Sequence, residues 1–163
     1  MTCPTRPASS GAYNERRRRN DTSRSRPPFE VLEHTADAGI VVHGADLPEL
    51  FANAAVGMFT LMADLSDVRE AEEREITVEA RDMETLLVRW LTELLYYLDA
   101  EEMLFKRFEI QELSERALRA RAFGERIDPT RHRLHFGVKA VTRHLLQIQP
   151  EDGGYRATLL FDI

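Results

Sequence analysis

Two short stretches far apart in the chain carry the residue types that could do chemistry. The first, Glu33-His34-Thr35-Ala36-Asp37-Ala38-Gly39, crowds four polar side chains into five positions ahead of the β-branched run Ile40-Val41-Val42. A strand starting near Ile40 sets Asp37 at its entry, a carboxylate on a short loop beside a sheet. Taken alone, Thr35 and Asp37 more commonly hydrogen-bond their own backbone and shape a turn. The second stretch is Asp162-Ile163, where a side-chain carboxylate and a free main-chain carboxylate are neighbours. Most termini fray, but the alternation of Ala157, Leu159 and Phe161 should hold this one in a sheet. If the fold brings Asp37 beside Asp162 and Ile163, three carboxylates converge and repel unless a cation or protons neutralise them. Hard oxygen ligands without thiolates or a histidine cluster favour a divalent metal of the calcium or magnesium kind over zinc, with open positions left for water or a partner. Lys139, one of only two lysines, precedes the last strand. It could balance that charge or bind a phosphate or carboxylate, although a lone strand lysine is more often a solvated edge residue.

Other constellations are weaker. His132 and His135 have a spacing used by metal ligands, but no third ligand follows at a telling distance. No glycine-rich phosphate loop and no nucleophile elbow is present. No catalytic machine declares itself from the residues.

The elements that must position these groups follow from periodicity. Phe29 to Leu32 and Ile40 to Val42 read as strands. Asp46 caps a helix with Pro48 in its first turn and Glu49 at the capping-box position, and Leu47, Leu50, Phe51, Ala54, Met58, Leu61 and Met62 form its buried face. Residues 64–74 are charged and predict a loop; Ile76, Val78 and Ala80 alternate as a strand. Asp82 caps a second helix with Leu87, Trp90, Leu91, Leu94 and Leu98 on one stripe. Trp90, Tyr96 and Tyr97 could offer a partner an aromatic surface, though packing on a sheet is the commoner use. A hairpin turns near Ser114-Glu115, a loop covers 128–132, a strand runs near Val138 to Ile148, and Asp152-Gly153-Gly154 turns into a last strand from Tyr155 to Ile163. The expected fold is a two-layer α+β domain, two helices on a largely antiparallel sheet of about six strands.

Residues 1–27 are rich in arginine, serine and proline and are expected to be a disordered tail, with the folded domain spanning 28–163. The tail could be a basic arm for RNA or an acidic partner, or only an unstructured extension. Seven arginines against Glu15 and Asp21 give the tail +5, so residues 28–163 carry −11 of the total −6. Such an acidic body is a poor general binder of phosphate backbones, which suggests that any service to nucleic acid runs through another protein. The single cysteine, Cys3, excludes a disulfide framework and a thiolate zinc cluster, and no apolar run is long enough to span a membrane. A cytoplasmic protein is expected.

Five blocks in register, Glu33 to Gly39, Asp128-Pro129-Thr130-Arg131-His132, Val138-Lys139-Ala140-Val141-Thr142, Glu151-Asp152-Gly153-Gly154-Tyr155 and Asp162-Ile163, resemble the archease family over about residues 29–163. The resemblance implies that the protein is not itself the enzyme but an activator of the GTP-dependent RNA ligase of tRNA splicing and RNA repair. That ligase joins 2′,3′-cyclic phosphate or 3′-phosphate ends to 5′-hydroxyl ends. The activator promotes guanylylation of its active-site histidine and multiple turnover through a transient protein complex, meeting RNA only indirectly. The family's metal site maps to Asp37, Asp162 and Ile163, with calcium ahead of magnesium, and its functional lysine to Lys139. Ala38 and Arg143 depart from the family pattern, which usually has a larger aliphatic residue and an aromatic there. Two other classes stay open: a metal-dependent phosphoester hydrolase, for which His34 is the only local general base, and a general chaperone or RNA-binding module.

Overall fold

The computed structural model describes residues 27–33 and 37–163, so the expectations for the arginine-rich tail and for His34 lie outside the described residues. Capping starts both α-helices of the described residues where the sequence predicts. The Asp46 carboxylate accepts the Glu49 N–H at 2.8 Å and opens α1 (Leu47–Met62). The Asp82 carboxylate does the same for Thr85 at 2.8 Å and opens α2 (Met83–Glu101). Each bond satisfies one of the amide groups a helix start leaves unpaired.

Among the described residues eight strands accompany these helices: β1 (Phe29–Glu33), β2 (Asp37–Gly44), β3 (Glu72–Glu79), β4 (Met103–Leu113), β5 (Ala117–Arg126), β6 (Ala140–Thr142), β7 (Ile148–Glu151) and β8 (Gly154–Asp162). They form two antiparallel sheets rather than the single sheet of about six. One has the order β1-β2-β8-β6, with β7 also on β8; the other is β3-β5-β4. The fold class is α+β. Helix α1 packs against β2 and β4, so it lies between the two sheets, and α2 packs chiefly on β3 and β6.

The core forms where the apolar stripes meet. Ile40, Val42, Ala157, Leu159 and Phe161 from the first sheet join Phe51, Met58 and Phe59 of α1 and Phe105 of β4, all at most 1% exposed. Trp90 is wholly buried and donates its indole N–H to the Phe51 carbonyl at 3.0 Å, tying the helices together. Tyr97 stacks edge-on against Phe105 and only Tyr96 stays exposed, so the aromatic residues of α2 serve mainly as packing.

Two local departures have physical causes. The segment 138–148 is not one strand: β6 ends at Thr142, and Leu145 takes a left-handed φ of 60° before β7 begins. The turn, closed by the Leu146 N–H on the Arg143 carbonyl at 3.1 Å, puts Leu146 into the core and leaves Leu145 outside. Likewise β3 starts at Glu72, inside the stretch expected to be a loop: Glu73 and Glu75 face solvent, while Glu72 and Arg74 are half-buried on the other face, where Arg74 pairs with Glu101 at 2.9 Å.

Candidate metal edge and the comparisons

β8 is the inner strand that organises the first sheet. Along one side it pairs with β2, in a register that sets Asp37 opposite Asp162, Ala38 opposite Phe161 and Ile40 opposite Leu159. Along the other side β6 sets Ala140 opposite the same Asp162, and the Lys139 N–H donates to the Asp162 carbonyl at 2.7 Å. The end of β8 is thus held from both flanks, as the apolar alternation requires. Residues directly opposite in an antiparallel pair carry their Cβ atoms about 4.5–5.5 Å apart on one face. With Phe161 buried, Asp162 falls on the exposed face, followed by Ile163 at 39% exposure.

The backbone therefore juxtaposes Asp37, Asp162, Ile163 and Lys139 at one sheet end. Neither the Asp162 carboxylate nor the Lys139 ammonium has a protein partner among the described residues. The donor set is all oxygen and solvent-facing at Asp162, which fits a hard divalent cation better than zinc. Among the described residues no cluster of three metal-ligating side chains converges, and a set that includes the Asp37 carboxylate lies outside that count.

The segment that delivers Lys139 is anchored by charges the sequence reading passed over. Glu125, at the end of β5, is buried and accepts both guanidinium arms of Arg131, at 2.7 and 2.9 Å, and the Arg69 backbone N–H at 2.6 Å. Arg131, helped by Arg69 and His132, holds the Glu125 carboxyl down to about 2 against the opposing effect of burial. His132 is also buried: its Nδ1 accepts the Asp128 N–H at 2.8 Å, so its Nε2 carries the proton and faces Glu125 at 3.1 Å. Both ring nitrogens are thereby occupied, and His132 with exposed His135 is not a metal pair. Asp128 caps the intervening turn through Thr130, whose N–H and hydroxyl bind its carboxylate at 3.0 and 2.6 Å and lower its pKa. The block 128–132 is therefore structural. A charged residue directly after Gly124 on an inward-facing strand, followed by Arg131 and His132, was the available signal.

From this anchor the chain runs back along the end of α1, where the Asp64 N–H donates to the Arg133 carbonyl at 2.9 Å and the His135 N–H to the Met62 carbonyl at 2.8 Å. It then reaches Val138, which is buried, and Lys139. No helix among the described residues is long and apolar enough to cross a membrane.

Comparison with known proteins agrees with the architecture. A "Protein archease" of Sulfurisphaera tokodaii is 42% identical over 137 residues, covering 83% of this chain and 98% of that protein. The solution structure of Methanobacterium thermoautotrophicum protein 1598 superposes with a TM-score of 0.69 at 42% identity, over 83% of this chain and 99% of that one. The crystal structure of a Thermotoga maritima protein, described as an archease and possible chaperone, superposes with a TM-score of 0.51 over 86% of this chain and 98% of that one; at 20% identity it supports the fold alone. Residues 29–163 match the archease protein family. The chain belongs to the archease family.

Proposed function

We propose that this protein is an accessory activator of a GTP-dependent RNA ligase, promoting guanylylation of the ligase and its repeated turnover on RNA ends during tRNA splicing and RNA repair. The observation that carries the reading is the register that pairs Asp37 with Asp162 next to Ile163 and Lys139. In this reading the Asp37 and Asp162 side chains and the Ile163 main-chain carboxylate hold one divalent cation, calcium ahead of magnesium. When bound, such a cation neutralises the carboxylates and offers open positions to a phosphate or a partner carboxylate. The protein's own part is to fix the edge. The β2 and β6 pairings hold Asp162 in place, and the Glu125–Arg131 anchor sets the path that brings Lys139 beside it. The ammonium of Lys139 then offers an exposed positive group for an anionic partner. The charge of −11 on residues 28–163 suits transient docking near a cationic ligase cleft.

The test is a ligation assay with RNA ends and GTP in excess, using the ligase of the same organism. Added protein should raise the number of joining events per ligase molecule. Unchanged turnover would reject the activator reading, and phosphoester hydrolysis by the protein alone would favour the hydrolase. Removing residues 1–27 should leave stimulation within about twofold, since ordered contacts rather than tail charge are expected to dominate. A collapse of stimulation, or loss of salt-sensitive RNA binding, would assign the tail a role.

A further inference from the structure

Beside the Glu125 anchor lies an open cleft of about 450 Å³, lined by Ser66 to Glu70, Lys106 and Arg131. That volume is within the range of about 300–1,000 Å³ typical of small-molecule sites. Its construction is specific. The pairing of β4 with β5 shifts register between Phe105 and Arg107, so Lys106 stands at a β-bulge, a device that re-aims a side chain. Its ammonium reaches the Val68 carbonyl at 3.1 Å and makes no ion pair among the described residues, leaving donors unused.

The opposite wall is preorganised. Arg131 donates to the Asp67 carbonyl at 2.6 Å while it grips Glu125, and Glu125 in turn holds the Arg69 N–H. The Arg69 side chain is exposed and has no partner among the described residues. The carboxylates present are largely committed: Glu70 to Arg107 at 2.6 Å, Glu125 to Arg131 at 2.7 Å, with Asp67 close to Arg131. Among the lining residues Arg69, Lys106 and Arg131 outnumber Asp67 and Glu70 by one positive charge, in a body whose overall charge is strongly negative. Two cationic heads on one cleft, neither in an ion pair among the described residues, suit an oxyanion with several acceptors.

We propose that this cleft binds a phosphate group, with Lys106 and Arg69 as its two ligating side chains. The binding requires neither a metal nor a ligase. The phosphate could arrive as a free ion or on a nucleotide, and the two sources are separable. The test is a ¹H–¹⁵N NMR titration of the full chain with inorganic phosphate and, separately, with adenosine 5′-monophosphate. Sodium chloride and sodium acetate at equal ionic strength are the controls. Saturable shifts confined to the amides of residues 66–70 and Lys106 are expected, and Lys106→Met or Arg69→Gln should weaken binding by about tenfold each. The Arg69 variant guards against a folding artefact, because that side chain supports nothing else. Tighter binding of the nucleotide identifies that source; equal binding identifies the free ion. Shifts that only track ionic strength, that saturate equally with acetate, or that survive both substitutions would overturn the proposal.

Discussion

Replacing Asp162 by alanine is expected to abolish stimulation of the ligase while the protein stays folded. The reasoning separates backbone from side chain. The pairing of β8 with β2 and β6 runs through main-chain groups, including the Lys139 N–H on the Asp162 carbonyl, and none of these is touched by truncating the side chain. The carboxylate itself is exposed and without a partner among the described residues, so its loss should change unfolding free energy by no more than about 0.5 kcal/mol. Losing one of three proposed oxygen groups should cost metal affinity on the order of 100-fold. Calcium titration by calorimetry and ligase turnover should fall together, and Asp37→Ala should match. Full stimulation by a variant that no longer binds calcium would separate the metal from activation and end the metal-edge mechanism.

The second large effect concerns stability. Glu125→Gln should destabilise the fold by about 3 kcal/mol at pH 7, because it removes the carboxylate that both guanidinium arms of half-buried Arg131 grip and leaves only the looser Asp128 pair at 3.8 Å. Water reaching Arg131 screens part of the loss, which puts the value at the low end for broken buried pairs. Acid should act in the same direction. The Glu125 carboxyl titrates at about 2 when folded, below its ordinary 4.5, so the unfolded chain binds the extra proton first. Its contribution is complete above about 4.5 and is lost as pH falls through that value toward 2. Urea unfolding between pH 7 and pH 2 should show the wild-type and variant curves converging in that window. Parallel curves would mean that Glu125 is not the charge that matters.

Much of this fold is legible in the amino-acid sequence. Asp46 and Asp82 announced both helices because a capping carboxylate is a local device, visible within four residues. The alternation of Ala157, Leu159 and Phe161 announced β8 for the same reason. What the sequence did not reveal was partnership. Periodicity tells which face of a strand is buried but not which strand lies beside it, so the division into two sheets was hidden. The break at Leu145 was hidden too, because a single left-handed residue leaves the apolar pattern of Val138 to Ile148 nearly intact. Glu125 was missed because a charged side chain at a strand end usually points to water, whereas here Arg131 draws it inward. In the candidate edge, the proximity of Asp37 and Asp162 had to be supposed from chemistry; the β2–β8 register supplies the backbone half of that supposition.

The central position of β8 also dictates an order of events during synthesis. β4 and β5 form a hairpin that can pair as it emerges, and β3, made one helix earlier, is already there to join β5, whereas β2 must wait for a partner made more than a hundred residues later. Until then β2 has only β1 beside it, leaving an unsatisfied edge open to wrong pairings. Pulse-labelled hydrogen exchange should therefore find β3 to β5 protected early and β2 late; simultaneous protection would show that the two sheets form as one. The nascent chain meets its greatest hazard of misassembly just before β8 arrives, and the strand that bears Asp162 is also the one that closes the fold.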